Sequence, residues 1–539
     1  MDRIKLILFF VLLTSGFAQA QVNRYMVFFN DKTGTPYSIS NPQAFLSSRA
    51  IQRRSNQNIA VIEEDLPVVP SYVTAVKNAG ANVLYQTKWM NGVLVECDAS
   101  LVPTIQNLAS VNSVVYVAPG TRPAPGGRVR SSSKFNETEE EAGATDVQLS
   151  MLGMDEMHAA SYRGEGKLIA VLDAGFPGVN TAAPFQHIFN ESRFDAATSY
   201  DFVSGSPNVF AKNSHGTHVL SIVGANIPGS FTGGAYKANF ILFVTEYAPT
   251  EYRVEEYNWV FAAERADSAG VDVINTSLGY TTFDDSQMNY TKAQMDGKTT
   301  VITRAANMAV SKGMAVVVSA GNEGSSSWGI ISAPADSKDV LTIGSVNSSG
   351  IKVASSSTGP TADGRIKPDV VALGSGVSII SPIGEISSGG GTSYAAPLIS
   401  SLVTGVWQML PELTVKELFD TIRHRASQFS MPDNFLGYGI PNFTAIITSI
   451  EPETSTTFAT VYPNPVFDKL RVTLTEEIQP NHRLTVNVFD SKGASCAMDF
   501  ESNSPQELSI DFSSQKPGLY MLRLQKGDQI SIHKIMKVE

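Results

Sequence analysis

Cysteine is almost missing: 539 residues contain two, Cys97 and Cys496. So few exclude a disulfide scaffold, and stability outside a cell must then come from core packing or bound ions. Long apolar runs are also missing, because no segment reaches the ~18 consecutive apolar residues that a membrane helix needs. A basic stripe is absent too, since 51 acidic residues outnumber 40 basic ones for a net charge of −11. Nothing here matches the phosphate electrostatics of DNA or RNA, so no nucleic-acid partner is expected. What the chain does have is 42% apolar and 17% charged residues, a globular composition rather than a disordered one. Its length suggests about three domains.

Residues 1–20 read as a signal peptide. Asp2-Arg3-Ile4-Lys5 supplies the charged start, Leu6 to Leu13 a short apolar core, and Ala18-Gln19-Ala20 a small-residue cleavage pattern. Cleavage after Ala20 leaves Gln21 first, in a protein expected to be secreted or held at the cell surface after export through a periplasm.

The most informative stretch is Gly389-Gly390-Gly391-Thr392-Ser393-Tyr394-Ala395-Ala396-Pro397, followed by a helical apolar pattern at Leu398, Leu402, Val403 and Val406. Pro397 lacks a backbone N–H and is expected in the first turn of that helix. Ser393 then stands at a helix N-terminus, where N–H groups can hold an oxyanion while its hydroxyl attacks a carbonyl. A second run, Lys167 to Leu172, ends in Asp173-Ala174-Gly175, as a buried parallel strand would when it delivers a carboxylate at its C-terminal tip. Asn213-Ser214-His215-Gly216-Thr217-His218 opens a helix with His215 in its first turn. An imidazole there can take the Ser393 proton while Asp173 fixes its tautomer. A fourth segment, Ala315 to Ser319 followed by Ala320-Gly321-Asn322, ends another strand at an amide able to complete an oxyanion hole. His218 lacks a third ligand at a useful spacing, so it reads as a packing residue and no metal site is expected.

These four blocks, in the order Asp, His, Ser, resemble the signature blocks of subtilisin-like serine proteases. The resemblance implies Ser393 as nucleophile, His215 as general base and then acid, Asp173 as the orienting carboxylate and Asn322 with the Ser393 N–H as the oxyanion hole. It further implies that Ser277, Leu278 and Gly279 bind polypeptide substrate by strand addition and line its side-chain pocket with Ser319, Ala320 and Gly321. No cofactor is expected for the chemistry. The family often binds calcium, which leaves a structural calcium open, although no contiguous ligand loop appears in this sequence. Ala174 and Tyr394 depart from the residues usual beside the acid and the nucleophile. They define the competing expectation, a catalytically inactive surface binding protein on the same fold.

The expected fold is α/β: a parallel-sheet subtilisin-like catalytic domain over 146–448, between a small α+β domain and a C-terminal β-sandwich. Residues 21–119 alternate strands (Tyr25–Phe29, Gly92–Glu96, Val111–Ala118) with helices (Pro42–Arg53, Pro70–Ala79, Leu101–Ala109). This domain resembles the prodomains that precede such proteases, which implies that it acts as their inhibitor and chaperone. Residues 120–145, rich in proline, glycine, serine and glutamate, form the expected linker and processing region. A polar hinge over 449–458 leads to period-two strands over 459–539. The Tyr462-Pro463-Asn464-Pro465 opening and the Lys516-Pro517-Gly518 turn are similar to C-terminal sorting domains of type IX secretion in Bacteroidetes. The resemblance implies recognition by outer-membrane export machinery.

Overall fold

The computed structural model describes residues 22–120, 145–448, 458–475, 484–490, 495–526 and 529–538. The expected signal peptide lies outside them, as do 121–144 of the linker and 449–457 of the hinge. Two compact units result, Met1–Phe443 and Thr444–Glu539.

In the first unit, seven strands form one sheet in the order Val370–Leu373, Leu341–Val346, Ala315–Ser319, Val273–Thr276, Leu168–Asp173, Asn239–Val244, Tyr200–Asp201. Every pairing in it is parallel. Helices cover both faces, which is why most of these strands are apolar throughout instead of alternating. The chain leaves Leu168–Asp173 for Asn239–Val244 on one side and then returns to Val273–Thr276 on the other. Such a reversal opens a crevice at the C-terminal strand ends. Leu172 pairs with Thr276 and Thr276 with Val318, so Asp173, Ser277 and Ser319 arrive level with one another at that edge.

Before this sheet comes a four-stranded antiparallel one, ordered Asn82–Thr87, Gly92–Asp98, Val22–Phe29, Val111–Pro119. Alternate side chains split between its faces. Tyr25, Val27, Phe29, Val93 and Val95 pack on the domain's own helices with Val73, Val76 and Ile105. Met26, Leu94 and Trp89 join the catalytic core with Tyr257 and Phe261. Both faces are buried, which explains the unbroken apolar run from Tyr25 to Phe29.

Three elements here differ from the sequence expectation. The helix expected over Pro42–Arg53 is a short 3-10 turn, Pro42–Ala44, and a separate helix, Ser48–Asn56, because the Ser47 hydroxyl accepts from Ala50 N and caps a new start. The helix expected over Leu101–Ala109 shortens to Val102–Gln106. Asn82–Thr87 is an added strand, paired with Gly92–Asp98; its Tyr85 packs against Phe202 and Phe261 of the catalytic domain, a tertiary contact that local pattern does not reveal.

Buried charge joins the two layers. Asp267, on the helix Val254–Ala269, accepts from Arg53 at 2.6 Å, Arg54 at 2.9 Å and Lys88 at 3.1 Å. Three helical turns earlier on the same helix, Glu256 accepts from Tyr290 at 2.8 Å and from Ile302 N at 3.1 Å. Burial raises its carboxyl to about 7 against these hydrogen bonds. A raised folded-state value means stability that is full below pH 4.5, the ordinary value, and lost as pH rises through 7. The loss is on the order of 3 kcal/mol. Urea unfolding of the uncut chain should therefore show a lower midpoint at pH 8 than at pH 5, and Glu256→Gln should flatten that slope; an unchanged slope in the variant refutes the assignment.

In the second unit, Ala459–Tyr462, Lys469–Leu474, Glu507–Asp511 and Phe500–Ser504 form one antiparallel sheet, and Ser495–Cys496, Leu484–Asp490, Gly518–Lys526 and Gln529–Lys537 form another. Leu470, Val472, Leu508, Ile510, Leu522 and Leu524 fill the core between them, the packing of a small sandwich. Ala459–Tyr462, Ser495–Cys496 and Phe500–Ser504 are strands beyond those expected from periodicity.

Candidate active site

Asp173 is the last residue of its strand and His215 the first of the helix His215–Gly224. His215 Nδ1 lies 2.8 Å from Asp173 Oδ1 and 3.0 Å from Oδ2, with both side chains buried. An ionised carboxylate only accepts, so Nδ1 carries the proton and Nε2 is left as the basic nitrogen. Ala174, for all its missing hydroxyl, still supplies Asp173 Oδ1 with its backbone N–H at 2.7 Å. The strand tip and the helix can approach because residue 216 is glycine: a Cβ there would run into the Gly175 carbonyl oxygen.

Ser393 is the second residue of the helix Thr392–Met409. Pro397 is the sixth, not a first-turn residue as expected, and the reason lies four residues back. Proline leaves the Ser393 carbonyl without its helical donor, and the buried Ser277 hydroxyl donates to that oxygen at 2.8 Å. Ser277 is held in turn by Asn275 Nδ2 at 3.1 Å, and Asn275 by Ser400 at 2.8 Å. A buried polar chain thus fixes the serine's backbone. Its Oγ lies 3.4 Å from the Ser277 carbonyl oxygen.

Next along the chain, the Tyr394 ring stacks on His215 with centroids 5.8 Å apart and planes at 27°. His218 is buried, its Nδ1 3.4 Å from the Tyr394 hydroxyl. Asn322 is oriented by Thr392, whose N–H and hydroxyl donate to its Oδ1 at 3.0 and 3.1 Å. With the carbonyl end so engaged, the amide presents two N–H donors elsewhere. Gly391 stands at this junction at φ +129°, a backbone conformation that residues with a side chain rarely adopt.

Ser393, Asn322, Leu278, Gly279, Ser319 and Gly321 line one cleft of about 70 Å³. Ser277 and Ala320 do not; both are fully buried behind it. Glu251, Thr281, Thr282, Glu323 and Ser332 also line the cleft. None of these five was singled out for a role from sequence, and Glu251 belongs to a loop with no recognisable motif. Among the described residues, no group of three or more His, Cys, Asp or Glu side chains could hold a metal ion, and no helix is long and apolar enough to cross a membrane.

A parallel sheet that brings Asp173 to His215 at its strand tips, with Ser393 on a glycine-entered helix in one cleft with Asn322, has the arrangement of a serine endopeptidase. The chain belongs to the subtilase family, peptidase S8, whose profile matches residues 164–439. Residues 24–133 match the peptidase S8 propeptide domain of Bacteroidota, and 460–538 match the secretion system C-terminal sorting domain. Subtilisin E of Bacillus subtilis (strain 168) is 25% identical over 373 residues, covering 69% of this chain and 84% of its own. Serine protease AprX of the same strain is 28% identical over 309 residues, 52% of this chain and 65% of its own. The crystal structure of MycP1 from Mycobacterium smegmatis covers 59% of this chain and 89% of its own at 20% identity and a TM-score of 0.46.

Proposed function

We propose that the chain hydrolyses peptide bonds through an acyl-enzyme on Ser393. The Ser393 hydroxyl proton passes to Nε2 of His215 as Oγ bonds to the scissile carbonyl carbon. The oxyanion is held by Asn322 Nδ2 and the Ser393 N–H. His215 then protonates the departing amine, the C–N bond breaks, and water repeats the sequence to release the acid and restore the serine. The observation that carries this reading is the 2.8 Å Asp173–His215 hydrogen bond, which fixes the tautomer that general base catalysis requires. Leu278 and Gly279 follow the strand Val273–Thr276 and line the cleft, with Ser277 buried behind them; in this reading they pair with extended polypeptide, which favours peptides over small esters. A phosphonofluoridate should label processed protein stoichiometrically at Ser393; no adduct would favour the inactive binding protein instead.

Asn322→Ala should lower kcat by about 10²–10³-fold with folding little changed, as kinetics beside a thermal melt would show. An unchanged kcat refutes the oxyanion role.

The N-terminal domain, in the same reading, inhibits the catalytic domain and assists its folding until it is cut away. The propeptide match and the buried Asp267 ion network support this. The C-terminal sandwich addresses the chain to outer-membrane export machinery by way of the periplasm, leaving the enzyme secreted or at the cell surface. Its support is the sorting-domain match. N-terminal sequencing and intact mass of the exported protein test both ends.

A further inference from the structure

We infer that Tyr394 is a positioning residue: its ring, laid against the His215 imidazole, sets the plane that directs Nε2 to Ser393 and stabilises the imidazolium formed when the serine gives up its proton. The inference rests on the hydrolase reading above. It gives a part in that reaction to the residue that departs from the family pattern beside the nucleophile.

Asp173 meets His215 only along the edge of the ring. Its two oxygens lie 2.8 and 3.0 Å from Nδ1, which fixes the tautomer. A histidine's outer torsion is broad, however, so a contact at one nitrogen sets the ring plane loosely. Tyr394 meets a face instead. The centroids are 5.8 Å apart with the planes at 27°, an offset stack. Each residue is 1% exposed, so water hardly screens the contact.

The ring is itself held in place. Tyr394 is the third residue of the helix Thr392–Met409, directly after the nucleophile, so one backbone segment carries both the stacking ring and the attacking oxygen. A Cβ on Gly389 would run into Tyr394 Cε2. The φ of Gly389 lies outside the left-handed region, so what glycine supplies there is room for the ring. On the far side, the Tyr394 hydroxyl stands 3.4 Å from His218 Nδ1, with the two rings 6.5 Å apart. His218 lies three residues after His215 on the helix His215–Gly224, hence on the same face. At that length the hydroxyl contact is weak, and the ring carries the interaction.

The stack also has a preferred charge state. An aromatic face is electron-rich and attracts a cation within ~6 Å, but it has little to gain from neutral imidazole. The contact therefore strengthens as the proton moves from Ser393 to His215, and an interaction stronger after the transfer than before it raises kcat.

The test uses processed enzyme. Tyr394→Leu removes the stack and should lower kcat about tenfold with KM little changed. The acid limb of its kcat/KM profile should move about half a pH unit toward lower pH, because the imidazolium has lost a partner. A merely structural role would lower the melting temperature without moving that limb. Tyr394→Phe keeps the ring and should recover most of the lost kcat and the wild-type limb. Gly389→Ala pushes the ring aside without deleting it and should reproduce the loss of kcat, so the inference stays testable if Tyr394→Leu fails to fold. A folded Tyr394→Leu with wild-type kcat and an unmoved limb overturns the inference, as does Tyr394→Phe as impaired as Tyr394→Leu. Wild-type protein that cuts no peptide and takes no phosphonofluoridate would instead overturn the hydrolase reading, and this inference with it.

Discussion

Ser393→Ala should reduce turnover of any peptide substrate by about 10⁶-fold while leaving the fold in place. The size follows from interdependence: without the hydroxyl, His215 has no proton to take and Asp173 no imidazolium to stabilise. His215→Ala added to Ser393→Ala should therefore cost almost nothing more. Folding should survive because the contact that fixes residue 393 is made by its carbonyl, which accepts from Ser277 Oγ at 2.8 Å and is retained in alanine. The hydroxyl's own contact, 3.4 Å to the Ser277 carbonyl, is too long to contribute much. Uncut chain should also accumulate, so intact mass of the exported variant should include the N-terminal domain. Substantial turnover by this variant would remove Ser393 from the mechanism and the acyl-enzyme with it.

The parts legible in the sequence are those where one short segment carries both structure and chemistry. Leu168–Asp173 and Ala315–Ser319 are apolar runs halted by a polar residue and glycine, so strand, tip and reacting group are read together. Ser393 is announced by Gly391, whose conformation at φ +129° belongs to glycine. Less legible are the residues whose roles depend on a distant partner. Ser277 looks like pocket wall, yet its hydroxyl serves the carbonyl that Pro397 leaves open, 116 residues away from Ser277. Ala320 was expected in the same wall, but side-chain alternation turns Ser319 and Gly321 to the cleft and Ala320 into the core. The orientation of Asn322 depends on Thr392, 70 residues on. Glu251 lines the cleft with Ser393, yet its loop carries no sequence motif that would place it there. Spacing identifies the reacting groups, then, but the groups that aim them come from tertiary contact.

Asp267→Ala should release the N-terminal domain from the catalytic helix Val254–Ala269. Burial alone would raise the Asp267 carboxyl, but Lys88, Arg53 and Arg54 together hold it below the ordinary value of 3.8. Alanine leaves these cations without their shared anion. Arg54 keeps Asp65 at 3.0 Å, while Arg53 retains only carbonyl partners such as Val271 O at 2.6 Å. Removing one side of a buried ion network costs about 3–5 kcal/mol, so the docked state should be disfavoured by about 10²- to 5 × 10³-fold. By contrast, Arg49 and Asp272 also bridge the two layers, but Arg49 is 42% exposed, and breaking that pair should cost at most about 1 kcal/mol. Amide hydrogen exchange in the uncut Ser393→Ala background reads the difference: Ser48–Asn56 and Gly92–Asp98 should lose protection with Asp267→Ala and keep it with Arg49→Ala, since Asp272 also accepts from the buried Leu168 N–H at 2.8 Å and is left in place. The pH dependence has a definite sign. A depressed carboxyl contributes stability above pH 3.8 that is lost as pH falls through its folded value, so acid should loosen the wild-type interface as Asp267→Ala does at neutral pH. Equal protection in the two variants would mean that Met26, Leu94 and Trp89, not the ion network, hold the domain in place.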